Sequence, residues 1–175
     1  MHPAFSVIFL TTLIGAGQGL FMALVTGQVY SLANLLEPQD SVTFYATGSL
    51  LALVLLVLGL LASFFHLGHP ERAWRALSQW KSSWLSREGL YALGTYAPAL
   101  VYAGGWIFSD WRDALFTLSG MVAVILGMQT VYCTSMIYAS LKTIRAWSNR
   151  WVPVSYLSLS IMTGALLMNA IATAF

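Results

Sequence analysis

Long apolar stretches alternate with short polar connections along the whole chain. A helix needs about 20 mostly apolar residues to cross a lipid bilayer. Five stretches meet this length, and the polar connections between them carry the acids, prolines and basic residues that end helices. The pattern predicts an all-α fold, a polytopic membrane helix bundle in a single integral membrane domain over residues 1–175, with five transmembrane helices at about 5–35, 43–66, 88–108, 114–140 and 153–175.

Composition agrees with this pattern. The chain is 58% hydrophobic and 8% charged, whereas soluble domains carry roughly 25% charged residues. A net charge of +2 gives no reason to expect a nucleic-acid partner. The single Cys133 excludes an intrachain disulfide and an iron–sulfur cluster held by several thiolates of this chain, so such a cluster would belong to another subunit. The first apolar run is much longer than a signal-peptide core, so we expect it to be a retained helix.

The placement of Lys and Arg predicts an orientation. Seven of the eight basic residues lie in the second and fourth connections, and the other, Arg112, lies in the third. Because basic loops stay on the cytoplasmic side, we expect the N-terminus and these two connections to be cytoplasmic. The seven are Arg72, Arg75, Lys81, Arg87, Lys142, Arg145 and Arg150.

The last predicted span reaches Phe175 without a polar tail. Two interpretations stay open, either a helix that ends flush with the membrane or a native sequence that continues. We expect the second.

Several residues have positions typical of helix ends and contacts. Ser41 suits the N-cap of the second helix, and Pro153 suits the first turn of the fifth. Ser86 suits the N-cap of the third helix, which would place Glu88 in its first turn. Gly15 and Gly19, four residues apart, predict a closely packed helix face.

His66 and Glu88 lie at the ends of consecutive predicted spans. Each is explained by helix-end stabilisation alone, since a histidine suits a C-terminus and an acid suits an N-terminus. Together they would meet at one membrane edge, where a histidine and a carboxylate can exchange protons near neutral pH. A lipid-soluble carrier of two electrons and two protons needs such a site. Trp74, Trp80 and Trp84 could cover it, although an interfacial tryptophan belt explains each of them as well.

Arg72, Arg75, Lys81 and Arg87 form the basic part of the same connection. They suit a docking surface for a soluble partner, but a topology signal with contacts to lipid phosphates explains them equally well.

Other membrane functions fit the sequence less well. A low-spin haem usually needs two histidine ligands, and the chain has only His2, His66 and His69, all near the same predicted membrane side. We therefore expect neither haem nor another metal site. No span carries Asp, Glu, Lys or Arg near its centre, which disfavours an ion-coupled transporter.

Two blocks of sequence resemble a known family. The segments "HLGHPERAWRAL…SWLSREG" and "VYCTSMIYASLKTIRAW" (131–147) are similar to the membrane-anchor subunits of dimethyl sulfoxide reductase-type complexes. The first line, "MHPAFSVIFLTTLIGAGQGLF", looks most like the branch that anchors cytoplasmic sulfite:quinone oxidoreductases.

The resemblance implies a multi-pass protein of the bacterial cytoplasmic membrane. Such anchors hold a molybdopterin catalytic subunit and an iron–sulfur subunit, lack haem, and exchange electrons with quinone, either ubiquinone or menaquinone. Their quinone-site histidine and glutamate map onto His66 and Glu88, and we extend the expected pocket to Trp74 and Arg75. His69 receives no role, because the family usually has Arg or a small residue there. Full-length relatives usually have eight spans, three more than are present here.

The resemblance implies a function as the quinone-reactive anchor that passes electrons from sulfite oxidation in partner subunits to membrane quinone. Two alternatives stay open. The anchor could oxidise quinol for a reductase of the dimethyl sulfoxide type, or it could be a purely structural anchor without a quinone site.

Overall fold

The computed structural model describes residues 5–35, 41–65, 67, 69–108 and 114–174. All regular elements in these ranges are helical, which confirms the all-α prediction. A 3₁₀ segment, Pro70–Gln79, lies between the second and third of five long helices. The long helices are α1 Phe5–Leu32, α2 Val42–Phe64, α3 Trp84–Phe108, α4 Ala114–Ala139 and α5 Trp151–Ala172.

Glycine contacts show that α1 and α2 are antiparallel. A Cβ added at Gly48 would lie 2.8 Å from Leu24 Cδ1, and one added at Gly59 would lie 2.6 Å from Ile14 Cγ1. Residue numbers therefore rise along one helix as they fall along the other. The absence of side chains at these glycines lets the two helices approach closely.

The same reasoning orients α3 and α4. A Cβ at Gly94 would meet Leu126, and one at Gly105 would meet Phe116, so these helices are antiparallel. Gln28 Nε2 donates a 3.1 Å hydrogen bond to Thr117 Oγ1, which places the end of α1 beside the start of α4. An interhelical hydrogen bond of this kind satisfies an amide side chain at membrane depth.

A close backbone contact joins α1 and α5, which run parallel. Ser160 Oγ donates a 2.6 Å hydrogen bond to the carbonyl oxygen of Gly15. One turn further along, a Cβ at Gly19 would overlap the Ser160 carbonyl, and a Cβ at Gly164 would overlap the Gly19 backbone. The predicted close-packed face is confirmed at Gly19. At Gly15 the carbonyl oxygen contacts α5, but a Cβ there would have nothing within 4 Å, so close packing at Gly15 is not observed.

These directions define an up-and-down bundle in which α1, α3 and α5 begin at the same end. That end also carries the described segments 69–83 and 140–150. We call it the basic end because these segments contain six basic residues: Arg72, Arg75, Lys81, Lys142, Arg145 and Arg150. The predicted placement of both basic connections at one end is thus confirmed. The buried core lies between α1, α2 and α3 and includes Phe21, Tyr45 and Tyr102.

Four helices, α1, α2, α4 and α5, are long and apolar enough to cross a membrane. Among the described residues α3 does not join them, because Tyr91, Thr95, Tyr96 and Pro98 lower its hydropathy. Its 25 residues nevertheless extend about 37 Å at 1.5 Å per residue. Five transmembrane helices therefore stay a prediction, supported directly for four.

The predicted helix starts are partly right. Ser41 Oγ accepts a 3.2 Å hydrogen bond from the Phe44 backbone N–H, which confirms it as an N-cap. Pro153 lies in the first turn of α5, as predicted. The N-cap prediction for Ser86 is wrong, because α3 begins at Trp84 and Ser83 Oγ accepts from the Ser86 N–H at 3.5 Å. Glu88 consequently lies in the second turn.

Candidate functional site

Glu88 makes its main contact with α4. Thr134 Oγ1 lies 2.5 Å from Glu88 Oε1, so the threonine hydroxyl is a hydrogen-bond partner of the carboxyl group. The same hydroxyl lies 3.0 Å from the carbonyl oxygen of Thr130, one turn earlier in α4. Thr134 is buried and Glu88 is partly buried, so bulk water reaches this contact only in part.

A cavity of about 380 Å³ lies beside Glu88, between α1, α4 and α5. Its walls are mostly apolar, with hydroxyl groups from Thr134, Tyr156 and Ser160. Three more threonines border it, but their hydroxyls bond carbonyl oxygens of their own helices: Thr11, Thr12 and Thr163. Of the described residues that border it, only Glu88 is charged. The volume and the few convergent polar groups are typical of small-molecule sites.

This arrangement can move a proton. A carboxyl group beside an apolar cavity can donate a proton to a bound carbonyl or accept one from a bound hydroxyl. The cavity begins one to two helical turns from the basic end, since Glu88 is the fifth residue of α3 and Tyr156 the sixth of α5, and it extends inward to Thr163. A flat ring could therefore enter at the membrane edge and stay close to the basic end.

A row of aromatic contacts runs from the cavity wall to the connection between α4 and α5. Tyr156 stacks on Tyr138 with ring centroids 5.7 Å apart. Tyr138 in turn meets Trp147 edge-on at 5.2 Å. Sequence reasoning assigned no role to Thr134, Tyr138 or Tyr156. The available signal was that Thr134 and Tyr138 fall in the second family-like block.

His66 lies outside the described residues, so its predicted proximity to Glu88 stays a prediction. The register of α2 on α3 indicates how close the end of α2 comes to Glu88. Tyr96 Oη donates a 2.8 Å hydrogen bond to the Leu56 carbonyl oxygen, which ties α3 to α2. Glu88 and Phe64 are each eight residues, about 12 Å, from this contact toward the basic end. Glu88 and the end of α2 therefore lie at a similar depth in the bundle.

Trp74 and Arg75 lie on the 3₁₀ segment rather than on the cavity wall. Trp74 is 67% exposed, and the Arg75 guanidinium carbon lies 5.5 Å from its ring centroid. Neither residue borders the cavity beside Glu88. Their place in a quinone pocket stays a prediction. Trp84 packs instead on Tyr132, with ring centroids 6.0 Å apart.

The four predicted docking residues differ in their contacts. Arg72, Arg75 and Lys81 are exposed. Arg87 donates hydrogen bonds of 2.9 Å and 2.7 Å to the carbonyl oxygens of Trp80 and Lys81. Arg87 therefore holds the connection against the start of α3. A further hydrogen bond from Ser86 Oγ to the Ala76 carbonyl oxygen does the same.

Two known proteins are similar to this chain in sequence. The C subunit of sulfite dehydrogenase from Allochromatium vinosum is 46% identical to it over 184 aligned residues, which cover 97% of this chain and 55% of that protein. The C component of the anaerobic dimethyl sulfoxide reductase of Escherichia coli strain K12 is 34% identical over 117 residues, which cover 65% of this chain and 40% of that protein. The chain thus spans about half the length of these curated relatives.

No solved structure matches the chain. The DMSO reductase anchor subunit (DmsC) family matches all of residues 1–175. The helical bundle with its four membrane-compatible helices agrees with that match. The chain therefore belongs to the DmsC family of DMSO reductase membrane-anchor subunits.

Proposed function

We propose that this chain is the quinone-reactive membrane anchor of a molybdopterin and iron–sulfur oxidoreductase that oxidises sulfite. In this proposal the partner subunits oxidise sulfite and carry the electrons to the membrane. The anchor binds quinone beside Glu88 and supplies the protons for its reduction. The similarity to the C subunit of a sulfite dehydrogenase supports the sulfite branch.

The observation that carries the proposal is the position of Glu88. Its carboxyl group borders a cavity of about 380 Å³, contacts Thr134 on α4, and lies near the basic end of the bundle. A quinone ring in this cavity would have a proton donor at one carbonyl. His66, which follows the last residue of α2 by two positions, is our candidate for the second carbonyl.

The reaction balances without any further co-reactant. Oxidation of sulfite with one water molecule yields sulfate, two electrons and two protons. Reduction of quinone to quinol consumes two electrons and two protons. Glu88 and His66 would each deliver one proton and regain it from the aqueous side at the basic end.

We infer that α3 also crosses the membrane, which gives five spans. It runs beside α4 from the Glu88–Thr134 contact to the contact between Gly105 and Phe116. These contacts are 17 residues apart on α3, or about 26 Å. With the basic end cytoplasmic by the positive-inside rule, the N-terminus and the partner subunits would lie on the cytoplasmic side of a bacterial inner membrane.

The exposed residues Arg72, Arg75 and Lys81 suit the docking of the iron–sulfur subunit. They lie on one connection at the end where electrons must arrive, beside the exposed Trp74 and Trp80. Arg87 contributes by fixing the shape of this connection. Lipid phosphates would occupy the part of this surface that the partner leaves free.

The test is quinone reduction by the assembled complex with His66→Ala and, separately, Glu88→Gln. Both variants should lose quinone reduction by at least about 100-fold, as expected for removal of a general acid. Sulfite oxidation with an artificial dye and assembly of the complex should be unchanged. Normal quinone reduction by both variants would leave a purely structural anchor as the interpretation.

The similarity to a component of a dimethyl sulfoxide reductase supports a second candidate. In that case the same site would oxidise quinol and release its protons through Glu88 and His66. Purification of the complex from its native membrane distinguishes the two, since the partner subunits show whether sulfite or another substrate supplies or receives the electrons.

A further inference from the structure

The Thr134 hydroxyl contacts two oxygen atoms that both accept hydrogen bonds. It lies 2.5 Å from Glu88 Oε1 and 3.0 Å from the Thr130 carbonyl oxygen. A hydroxyl group has one proton and two lone pairs. It can therefore donate to only one of these oxygens at a time, and which one depends on whether Glu88 is ionised.

Both protonation states of Glu88 can be satisfied without moving a heavy atom. When Glu88 is ionised, Thr134 donates its proton to the carboxylate. When Glu88 is protonated, its own O–H donates to Thr134 Oγ1, and the threonine proton rotates toward the Thr130 carbonyl. That carbonyl tolerates the loss of the extra bond, since it also accepts the helical bond from the Thr134 N–H.

The other titratable groups around Glu88 cannot replace this contact. Cys133 and Tyr138 on α4 and Tyr156 on α5 are the nearby titratable residues, and among the described residues the Glu88 carboxyl group forms its side-chain hydrogen bond with Thr134 rather than with any of these. The neighbouring Arg87 is engaged with backbone carbonyls of the connection. The part of α1 that borders the cavity carries no titratable residue, and His66 lies outside the described residues.

We propose that Thr134 is a positioning residue that holds the Glu88 carboxyl group in one place through both of its protonation states. It would thereby keep the carboxyl oxygen facing the cavity while protons enter and leave. This inference deepens the proposed function and rests on it for its catalytic consequence. The hydrogen-bond exchange itself depends only on Glu88, Thr134 and the carbonyl oxygen of Thr130.

The test compares Thr134→Val, which removes the hydroxyl, with Thr134→Ser, which keeps it. The control is Thr130→Val, because Thr130 is also buried in α4 but its hydroxyl contacts Leu126 O at 3.0 Å and not Glu88. Acid-minus-base infrared difference spectra of the complete complex in membranes are recorded for each variant. The Glu88 carboxyl band is identified by its loss in Glu88→Gln.

Thr134→Val should shift the Glu88 carboxyl band, while Thr134→Ser and Thr130→Val keep it at the original frequency. In quinone reduction, Thr134→Val should lower kcat by about tenfold with KM changed by less than about twofold. An unshifted band in Thr134→Val, or no band that Glu88→Gln removes, overturns the inference. Normal turnover of Glu88→Gln would instead reject the proposed function and leave the spectral result to decide the role of Thr134.

Discussion

Ser160 Oγ donates a 2.6 Å hydrogen bond to the carbonyl oxygen of Gly15, and both residues border the cavity beside Glu88. The bond ties α1 to α5 at the cavity wall. Gly15 has no atom within 4 Å of where a Cβ would lie, so a side chain added there enters open space rather than a helix contact.

A valine at Gly15 should obstruct the cavity without disturbing the bundle. Gly15→Val is expected to raise the KM for quinone by about tenfold, since loss of about 1.4 kcal/mol of binding free energy has this effect. Steady-state quinone reduction by the purified complex measures it. The matched control is Gly104→Val, because Gly104 also has nothing within 4 Å of an added Cβ but lies away from the cavity. Equal KM values for the two variants would argue that quinone binds elsewhere.

A side chain at Gly164 should destabilise the fold, unlike one at Gly15. Its Cβ would overlap the backbone of Gly19, which is less free to move aside than a flexible side chain. We expect Gly164→Ala to lower the free energy of unfolding by about 3 kcal/mol or more, the upper range for overpacking. Thermal unfolding in detergent measures the loss. Gly104→Ala should keep or slightly raise the melting temperature, and an equally stable Gly164→Ala would contradict the parallel α1–α5 contact.

The exposed basic residues should contribute to retention of the partner subunits. Replacing Arg72, Arg75 and Lys81 together by Ala is expected to release partner subunits from membranes at a lower salt concentration than in the wild type, because exposed charge pairs are screened by salt. Salt washing of membranes followed by quantification of the partner subunits measures this. Arg87, Lys142, Arg145 and Arg150 remain in this variant and should preserve the orientation. If the variant retains its partner subunits as well as the wild type does, these three residues do not bind a partner and are explained as a topology signal.

The sequence was sufficient to predict the membrane class and most of the architecture. Apolar stretches of spanning length predict helices regardless of their neighbours, because a lipid-exposed backbone must satisfy its own hydrogen bonds. The bounds at Ser41 and Pro153 follow from local capping chemistry. The start of α3 at Trp84 could not be predicted in this way, because Ser83 and Ser86 are both plausible N-caps. The hydrogen bond of Ser86 to Ala76 forms only in the folded connection.

The site was predictable only in part. Glu88 is unusual in sequence because it is a carboxyl group at the edge of an apolar stretch. Thr134 is not unusual in sequence, because many buried threonines form a hydrogen bond only within their own helix. Thr95, which bonds the Tyr91 carbonyl oxygen, is an example. Its contact with Glu88 joins residues 46 positions apart and requires the register of α3 on α4. Likewise, Trp74 and Arg75 belong to a 3₁₀ segment, and only the fold shows that both lie outside the cavity wall.

The orientation has a bioenergetic consequence that can be measured. If the basic end is cytoplasmic, sulfite oxidation releases its protons on the same side from which Glu88 and His66 take them up. Electron transfer to quinone should then move little charge across the membrane. Reconstituted complex in liposomes, given sulfite and a quinone analogue, is expected to produce no sustained membrane potential on a voltage-sensitive dye. A proton pump added to the same liposomes provides the positive control, and a potential that depends on sulfite would contradict either the orientation or the position of the site.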